Sequence, residues 1–381
     1  MTMPDLIGRL RVQPGLPPPA ALHSGRRAWA GELARGQTAA VLPGLLASLF
    51  NLCGHAHRLC AEGALAAAQP GRQPAPAGVA ARLRRDTAAE HLRRIALDWP
   101  RLLADGDAGV ASAALAGLRT CPLLGPRDAH DPTLWPDTLA WLEQGWLQMP
   151  ATRWHRAWQV CGADWWLDWS HRQTGWLPAL VSAARSADAG EPLDQTRALR
   201  VHGSDAGLVA LAADLDHQPG FVLAPLWQGA GAHTGPWARR HGADADLPLT
   251  PWALLGSRVA ELVRLCLPDG DGQGARVLQH GGLHLGPDDG LAWVEMARGL
   301  LVHRVRLHGD GTDSRVQACQ VLAPTEWNFQ PQGEVAHRVA ALDARAPGVA
   351  RQVGLLMAAF DPCVPFEIGG AAQPRTEVCH A

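Results

Sequence analysis

A mainly helical α+β fold is what the sequence predicts, on three observations. Apolar residues recur at helical spacing through much of residues 42–266. Two runs rich in β-branched and apolar residues then flank a Gly-rich turn within 291–323, which is typical of a β-hairpin. Helical spacing returns over 347–360 and ends at Asp361-Pro362. We therefore expect a long-helix core with a small β-hairpin in the C-terminal third.

The helices are predicted in chain order from apolar spacing and from turn residues. Residues 42–68 predict one helix, because Pro43 is tolerated at a helix start and the alanine-rich run after Cys60 continues the spacing. The stretch QPGRQPAPAG at 69–78 is typical of a linker, and a helix is expected over 82–104. Further helices are expected near 135–148, 153–170, 176–186, 205–214 and 251–266, with Gly- and Pro-rich joins at 216–250 and 267–290.

The clearest β structure is predicted in LAWVEMARGLLVHRVRLHGDGTDSRVQACQVLAP, which begins at Leu291. The turn HGDGTDS at 308–314 places glycines where a hairpin needs positive φ. The strands on its two sides are therefore expected to pair with each other.

Composition limits the class of protein. The 381 residues are 47% hydrophobic and 18% charged, with a formal net charge of −2, so no basic excess favours nucleic acid. The start MTMPDLIGRLRVQPG has no basic segment followed by an apolar run, and no window of about 18 apolar residues occurs. We expect a cytoplasmic protein without a membrane span, and one domain over 1–381 with parts at 1–68, 69–290 and 291–381.

The first candidate site is the cluster FNLCGHAHRLC at 50–60. On a continuous helix Cys53, His57 and Cys60 would share one face, whereas His55 would point elsewhere. Thiolate and imidazole suit a soft or borderline metal ion, but C-x6-C is not a zinc-finger spacing. Core packing is therefore favoured for the cluster by itself, with a metal role as the alternative.

Two further segments contain candidate residues. Asp361-Pro-Cys363 would stop the last helix and place a thiol at its end, although a plain helix terminus explains the motif equally. Arg298, before Gly299, could bring a guanidinium into a cavity, but a surface arginine on a strand is the commoner explanation.

Taken together, these segments resemble the large subunit of [NiFe] hydrogenases. That family has R-x-C-G-x-C-x-x-x-H, E-A-P-R-G-x-L-x-H, P-T/S-T-W-N and D-P-C-x-x-C-x-x-H in this order. The counterparts here are NLCGHAHRLC, EMARGLLVH, APTEWN and DPCVPFEIG, while ARGQT at 34–38 and IGRLRVQ at 7–13 resemble two upstream segments. The resemblance implies a large-subunit-like helical fold.

The same resemblance implies an incomplete metal centre. Cys53 and Cys363 match the first cysteine of each family pair, whereas Ala56 and Phe366 replace the second cysteines, which by analogy bridge Ni and Fe. Thr38 also replaces the glutamate that transfers protons in the family. We therefore expect no Ni and no catalysis. In addition, Ile7 and Gly369 replace residues that help to hold a structural Mg in the family.

The cyanide-binding part of the family site is largely retained. Arg298 and Thr325 match the residues that surround the cyanides, and Ala297 replaces a proline. Glu295 and His303 also match and are expected to support the site. Additional ligands are given little weight: His55, His57, Cys60, Cys379 and His380.

This combination of losses and retained residues resembles the hydrogenase maturation proteins of the HoxV/HupK type. That resemblance implies a scaffold that receives an Fe(CN)2(CO) fragment from a HypC/HypD complex, with a small HypC-like chaperone as partner, and passes it to the hydrogenase large-subunit precursor. The alternatives are a divergent redox enzyme with one metal ion at Cys53 and Cys363, or a metal-free structural relative as in complex I.

Overall fold

The computed structural model describes residues 8–71, 78–128, 131–188, 190–239, 247–268, 277–309, 314–369 and 376–377. It confirms a mainly helical α+β fold. Its α-helices are α1 (Trp29–Ala34), α2 (Leu42–Leu49), α3 (Gly54–Ala68), α4 (Val79–Arg93), α5 (Trp99–Leu103), α6 (Ala108–Arg119), α7 (Leu134–Leu142), α8 (Ala151–Arg172), α9 (Trp176–Ala184), α10 (Asp205–His217), α11 (Pro251–Cys266), α12 (Pro324–Asn328), α13 (Glu334–Ala340) and α14 (Val349–Phe360).

The β structure forms two sheets and is larger than the single hairpin that the sequence predicts. The strands are β1 (Leu10–Val12), β2 (Leu22–Ser24), β3 (His280–Gly286), β4 (Asp289–Met296), β5 (Gly299–His308), β6 (Arg315–Leu322), β7 (Phe366–Ile368) and β8 (Thr376–Glu377). One sheet has the order β3-β4-β5-β6 and is antiparallel throughout. The expected pairing of β5 with β6 is confirmed, while turn residues 310–313 lie outside the described residues.

The second sheet joins the two ends of the described chain. Its order is β2-β1-β7-β8, and β1 pairs parallel to β7 with Leu10 opposite Phe366. Because β7 begins three residues after Cys363, this pairing anchors the segment that follows α14. The N-terminal segment is thereby brought beside the C-terminal motif.

Helix α3 packs directly across the larger sheet. A Cβ on Gly290 would lie 2.2 Å from the backbone nitrogen of Ala68 and 2.4 Å from the oxygen of Ala64. The small residues on both surfaces therefore permit helix and strand backbones to approach closely. This packing sets the C-terminal half of α3 against the start of β4.

The predicted single helix over 42–68 is wrong, because the chain turns sharply within it. The two segments 39–49 and 51–68 meet at 104°, around a short 3-10 turn at Asn51–Cys53. A Cβ on Gly54 would lie 2.5 Å from the carbonyl oxygen of Ala47, so glycine permits the close contact at this corner. Cys53 therefore lies at the corner and not on the helical face of His57 and Cys60.

Every helix in the described ranges is, by itself, too short or too polar to span a lipid bilayer. The bent pair at 39–49 and 51–68 meets the length and composition test only when the two segments are taken together.

The predicted C-terminal helix is confirmed as α14, and its end positions the next thiol. Asp361 follows Phe360 with φ +54° and ψ +72°, a left-handed conformation that ends the helix. Pro362 then prevents helical continuation. Cys363 consequently projects from the short connection between α14 and β7.

Candidate dithiol site

The structure brings Cys53 and Cys363 into one neighbourhood, although 310 residues separate them in sequence. Both are half-buried against the main hydrophobic core. The pKa of the Cys53 thiol is raised above its ordinary value, mainly by burial. The Arg298 guanidinium opposes this shift, and negative charge on Cys363 adds to it. The two sulfurs and the guanidinium are therefore within electrostatic reach of one another.

Thr325 holds Cys363 in place from the start of α12. Its hydroxyl donates a hydrogen bond to the Cys363 sulfur at 3.1 Å, and the Cys363 backbone N–H lies 3.2 Å from the same oxygen. This pair of contacts fixes both the backbone and the sulfur of the residue. Thr325 and Cys363 are therefore direct neighbours.

Arg26, to which no sequence motif points, is in direct contact with the site. Its Nη1 donates to the Cys363 sulfur at 3.1 Å, and its Nε lies 2.5 Å from a carboxylate oxygen of Glu326. The two side chains are only 11% and 6% exposed. Arg26 lies just after β2, and no sequence pattern connects it to residues more than 300 positions away.

Arg298 is buried, so the surface-arginine alternative is wrong. It precedes Gly299, whose φ of +136° and close contact with Thr234 exclude a side chain and fix the turn from β4 to β5. Arg298 Nη1 donates to Glu90, and its Nε lies 3.5 Å from Asp361. Its buried Nη2 has no hydrogen-bond partner among the described residues, so both N–H groups of this nitrogen are available as donors.

Asp361 is the carboxylate shared by three arginines. Its oxygens lie 3.4 Å from Arg94 Nε, 3.3 Å from Arg258 Nη1 and 3.5 Å from Arg298 Nε. Burial alone would raise the pKa of Asp361, but these three guanidinium groups outweigh burial and lower it to about 2. Asp361 is therefore ionised at neutral pH and orients Arg298.

A second row of buried polar groups supports this carboxylate. Arg258 donates to Nδ1 of His91 at 3.1 Å, which leaves the other ring nitrogen of His91 to donate to Glu261 at 2.7 Å. Glu261 also accepts two hydrogen bonds from Arg239, at 2.5 and 2.6 Å. This bidentate pair lowers the pKa of Glu261 although burial opposes the shift.

The same two arginines fix the backbone that leads to Arg298. Arg258 donates to the carbonyl oxygen of Ala297 at 3.2 Å, and Arg239 donates to that of Met296 at 2.8 Å. Ala297 itself is completely buried. Ala297 therefore contributes through its carbonyl, which helps to hold the turn in one position.

The possible ligands on α3 do not join Cys53. Nδ1 of His57 and Nε2 of His303 share a hydrogen bond at 3.0 Å, and Phe50 stacks on His57. Burial lowers the pKa of both histidines, that of His303 to about 3, so the pair is neutral. The Cys60 sulfur instead donates to the Ala292 carbonyl at 3.3 Å, as expected for core packing.

The remaining predicted residues have other partners, are exposed, or lie outside the described residues. Glu295 accepts from the backbone of Gln279 at 2.7 Å and from His202 at 3.2 Å. His55 is exposed. Ile7, Cys379 and His380 lie outside the described residues. Across the described ranges, no group of three or more His, Cys, Asp or Glu side chains is arranged to hold a metal ion.

The dithiol site thus combines two sulfurs, one hydroxyl and two buried guanidinium groups: Cys53, Cys363, Thr325, Arg26 and Arg298. Sulfur can bind a soft metal centre, and the guanidinium groups can donate to negatively charged acceptors. Nη2 of Arg298, which has no partner among the described residues, can donate to an acceptor buried in this site. Fold and site together define a mainly helical protein with a cation-lined pair of thiols.

Comparison with known proteins identifies the family. The chain is 38% identical over 373 residues to the hydrogenase expression/formation protein HoxV of Cupriavidus necator, covering 95% of both chains. It is 32% identical to the hydrogenase expression/formation protein HupK of Bradyrhizobium diazoefficiens, covering 95% of this chain and 92% of that one. The chain therefore belongs to the HoxV/HupK family of hydrogenase expression/formation proteins.

Two other comparisons are less specific. No protein-family model matches the chain. The Ni-Fe-Se hydrogenase of D. vulgaris Hildenborough aligns over 90% of this chain and 92% of its own, with a TM-score of 0.48 and 14% identity.

Proposed function

We propose that this protein is a non-catalytic scaffold in [NiFe] hydrogenase maturation. It binds an Fe(CN)2(CO) fragment transiently and passes it to the hydrogenase large-subunit precursor. The names of its relatives support a role in hydrogenase formation. The observation that carries the choice of cargo is the buried Arg298, whose Nη2 lacks a partner among the described residues beside two thiols.

Recognition of the cyanide ligands follows from hydrogen bonding. A cyanide nitrogen is an acceptor, and burying it without a donor is costly. The free Nη2 of Arg298 supplies a charged donor, and such a bond is worth about 1.5–3 kcal/mol. Thr325 supplies a hydroxyl near Cys363. A carbonyl ligand needs no comparable donor, so these polar groups favour cyanide.

Attachment of the iron relies on the two sulfurs. A low-spin iron centre favours soft thiolate ligands, and Cys53 and Cys363 approach from different elements. Two sulfurs provide fewer bonds than the four of a complete Ni–Fe centre, so the fragment can leave again. No Ni is expected, because Ala56 and Phe366 occupy the positions of the bridging cysteines.

The proposed partners follow from the two ends of this transfer. A HypC/HypD complex would supply the fragment, with a small HypC-like chaperone in contact with the scaffold, and the large-subunit precursor would receive it. All of these steps would take place in the cytoplasm. Neither nucleic acid nor a membrane has a part in the transfer.

Infrared spectroscopy tests the proposal. The full chain is produced together with the maturation machinery and purified without oxygen, and cyanide and CO stretching bands are recorded with the iron content. We expect bands in the wild type, their loss in Cys53→Ala and Cys363→Ala, and their retention in Cys161→Ala, whose thiol is exposed. A wild type without bands would refute the cargo, and a Ni-containing sample that is active with H2 would support a divergent enzyme instead.

A further inference from the structure

A separate cavity of about 170 Å³ lies against the dithiol site. It is bounded by the segment after β2, by Phe50 at the α2–α3 corner, and by the end of β6. Leu223 on its rim is 36% exposed, and Arg27 is exposed, so the cavity borders the protein surface. Its volume admits several water molecules, each of which takes about 30 Å³ in the liquid.

Arg26 contacts both this cavity and Cys363. Its side chain lines the cavity, and its Nη1 is 3.1 Å from the Cys363 sulfur. A molecule that passes from the cavity to Cys363 therefore meets the Arg26 guanidinium first. Glu326 lines the cavity too, and its buried Oε2 has no hydrogen-bond partner among the described residues.

Arg26 is the buried cation among the charged residues around this cavity, so it is the group that can select ligands by their charge. The charged residues that line the cavity are Arg26, Arg27 and Glu326. Arg27 is exposed, with its guanidinium 5.6 Å from the Trp29 ring, so water screens its charge. Burial lowers the pKa of Arg26, but Cys363 and Glu326 outweigh burial and raise it, so the side chain stays cationic.

We propose that this cavity is the entrance to Cys363, and that Arg26 gives it a preference for small ligands with negative charge on their outer atoms. Glu326 opposes that preference and limits it. The natural ligand would be the cyanide-bearing iron fragment, and this identity alone rests on the proposed function. The cyanide ligands of the fragment would then meet Arg26 on entry and Arg298 in the site.

Alkylation of Cys363 in the iron-free, full-length protein tests the entrance directly. The thiolate displaces iodide from iodoacetate or from iodoacetamide, forming an S–C bond and releasing iodide. The two reagents are similar in size and differ in charge, so the ratio of their rates reports the preference for an anion. Peptide mass spectrometry gives the ratio at Cys363, and the exposed Cys161 in the same chain normalises it.

Four variants separate the proposed role from a general effect of charge. Arg26→Met should lower the normalised ratio roughly tenfold, whereas Arg26→Lys should keep it within about threefold. Arg27→Met, the matched control, should change it by less than about twofold. Glu326→Gln should raise the normalised ratio several-fold, because it removes a negative charge from the cavity. This opposite change can be measured even if the Arg26→Met variant does not fold.

These rates are measured on iron-free protein, so they test the entrance separately from the proposed cargo. An unchanged ratio in folded Arg26→Met, an equal loss in Arg27→Met, or a lower ratio in Glu326→Gln would overturn it. The expected ratios together with a wild type that lacks infrared bands would leave the entrance intact and refute only the proposed cargo.

Discussion

Asp361→Asn is expected to destabilise the protein strongly, because it leaves Arg258 as a buried cation. In the wild type, Arg258 Nη1 is 3.3 Å from Asp361, while its other described contacts are neutral groups of His91 and Ala297. Arg94 keeps Asp98 as a partner after the substitution, and Arg298 keeps Glu90. Among the described residues, Arg258 is therefore the guanidinium that loses its carboxylate.

The magnitude follows from the cost of a broken buried ion pair. Removing one partner of such a pair costs about 3–5 kcal/mol. An unfolding entropy of about 2.1 cal/mol/K per residue gives ~0.8 kcal/mol/K for the 381-residue chain. The midpoint of thermal unfolding, Tm, should therefore fall by about 4–6 °C.

The pH dependence of this loss has a definite sign. The pKa of Asp361 is lowered to about 2 in the folded protein, below the ordinary value of 3.8. This difference in pKa corresponds to about 2.5 kcal/mol of stabilisation of the folded protein. The stabilisation is complete when pH is above the pKa of Asp361 in the unfolded chain, and it is lost as pH falls through the pKa of Asp361 in the folded protein. The stability difference between wild type and Asp361→Asn should thus be constant from pH 7 to 5 and narrow below about pH 4.

Thermal unfolding followed by circular dichroism at several pH values measures both effects. Asp137→Asn is the matched control, since its partner Arg127 is 39% exposed and an exposed ion pair contributes about 1 kcal/mol or less. If both variants unfolded at the same temperature, or if the difference widened toward pH 3, the argument that Asp361 neutralises buried arginines would be refuted.

Three further substitutions test other parts of the structure. Gly290→Ala should cost at least about 1–3 kcal/mol in urea unfolding, because its Cβ would lie 2.2 Å from Ala68; Gly286→Ala, with open space around it, should be neutral. Cys60→Ala should leave the iron content unchanged, since that sulfur contacts a backbone carbonyl; a loss of iron would make it a ligand. Thr325→Val should reduce the iron content and shift a cyanide band, and an identical spectrum would exclude the hydroxyl from the site.

Local sequence patterns predicted the helices well. Helices α8 and α11 appear near the predicted 153–170 and 251–266, because apolar spacing reports the buried face directly. Helix α8 is nevertheless broken by a kink at Gly162, whose φ of +51° and ψ of −121° are not helical. The corner at 50–53 was missed, since apolar spacing continues on both sides of it. Only the contact between Gly54 and the preceding helix, which depends on three dimensions, explains the bend.

Only those residues of the candidate site that lie in recognisable sequence motifs could be predicted. The sequence motifs point to Cys53, Cys363, Arg298 and Thr325, and the structure places these residues in one region. Arg26 was not predictable, because its role depends on a contact with Cys363 across 337 residues and on the parallel pairing of β1 with β7. The buried charges around Asp361 likewise have no local pattern, since they come from the residue after α4, from α11 and from the β4–β5 turn.

X-ray absorption at the iron edge tests the central claim most directly. In protein loaded by the maturation machinery, we predict two sulfur neighbours and short bonds to diatomic carbon atoms around each iron. Cys363→Ala and Cys53→Ala should each retain at most one sulfur neighbour or lose the iron, while Cys161→Ala should match the wild type. Iron with two sulfur neighbours in Cys53→Ala, or wild-type iron bound only by nitrogen and oxygen, would contradict the account.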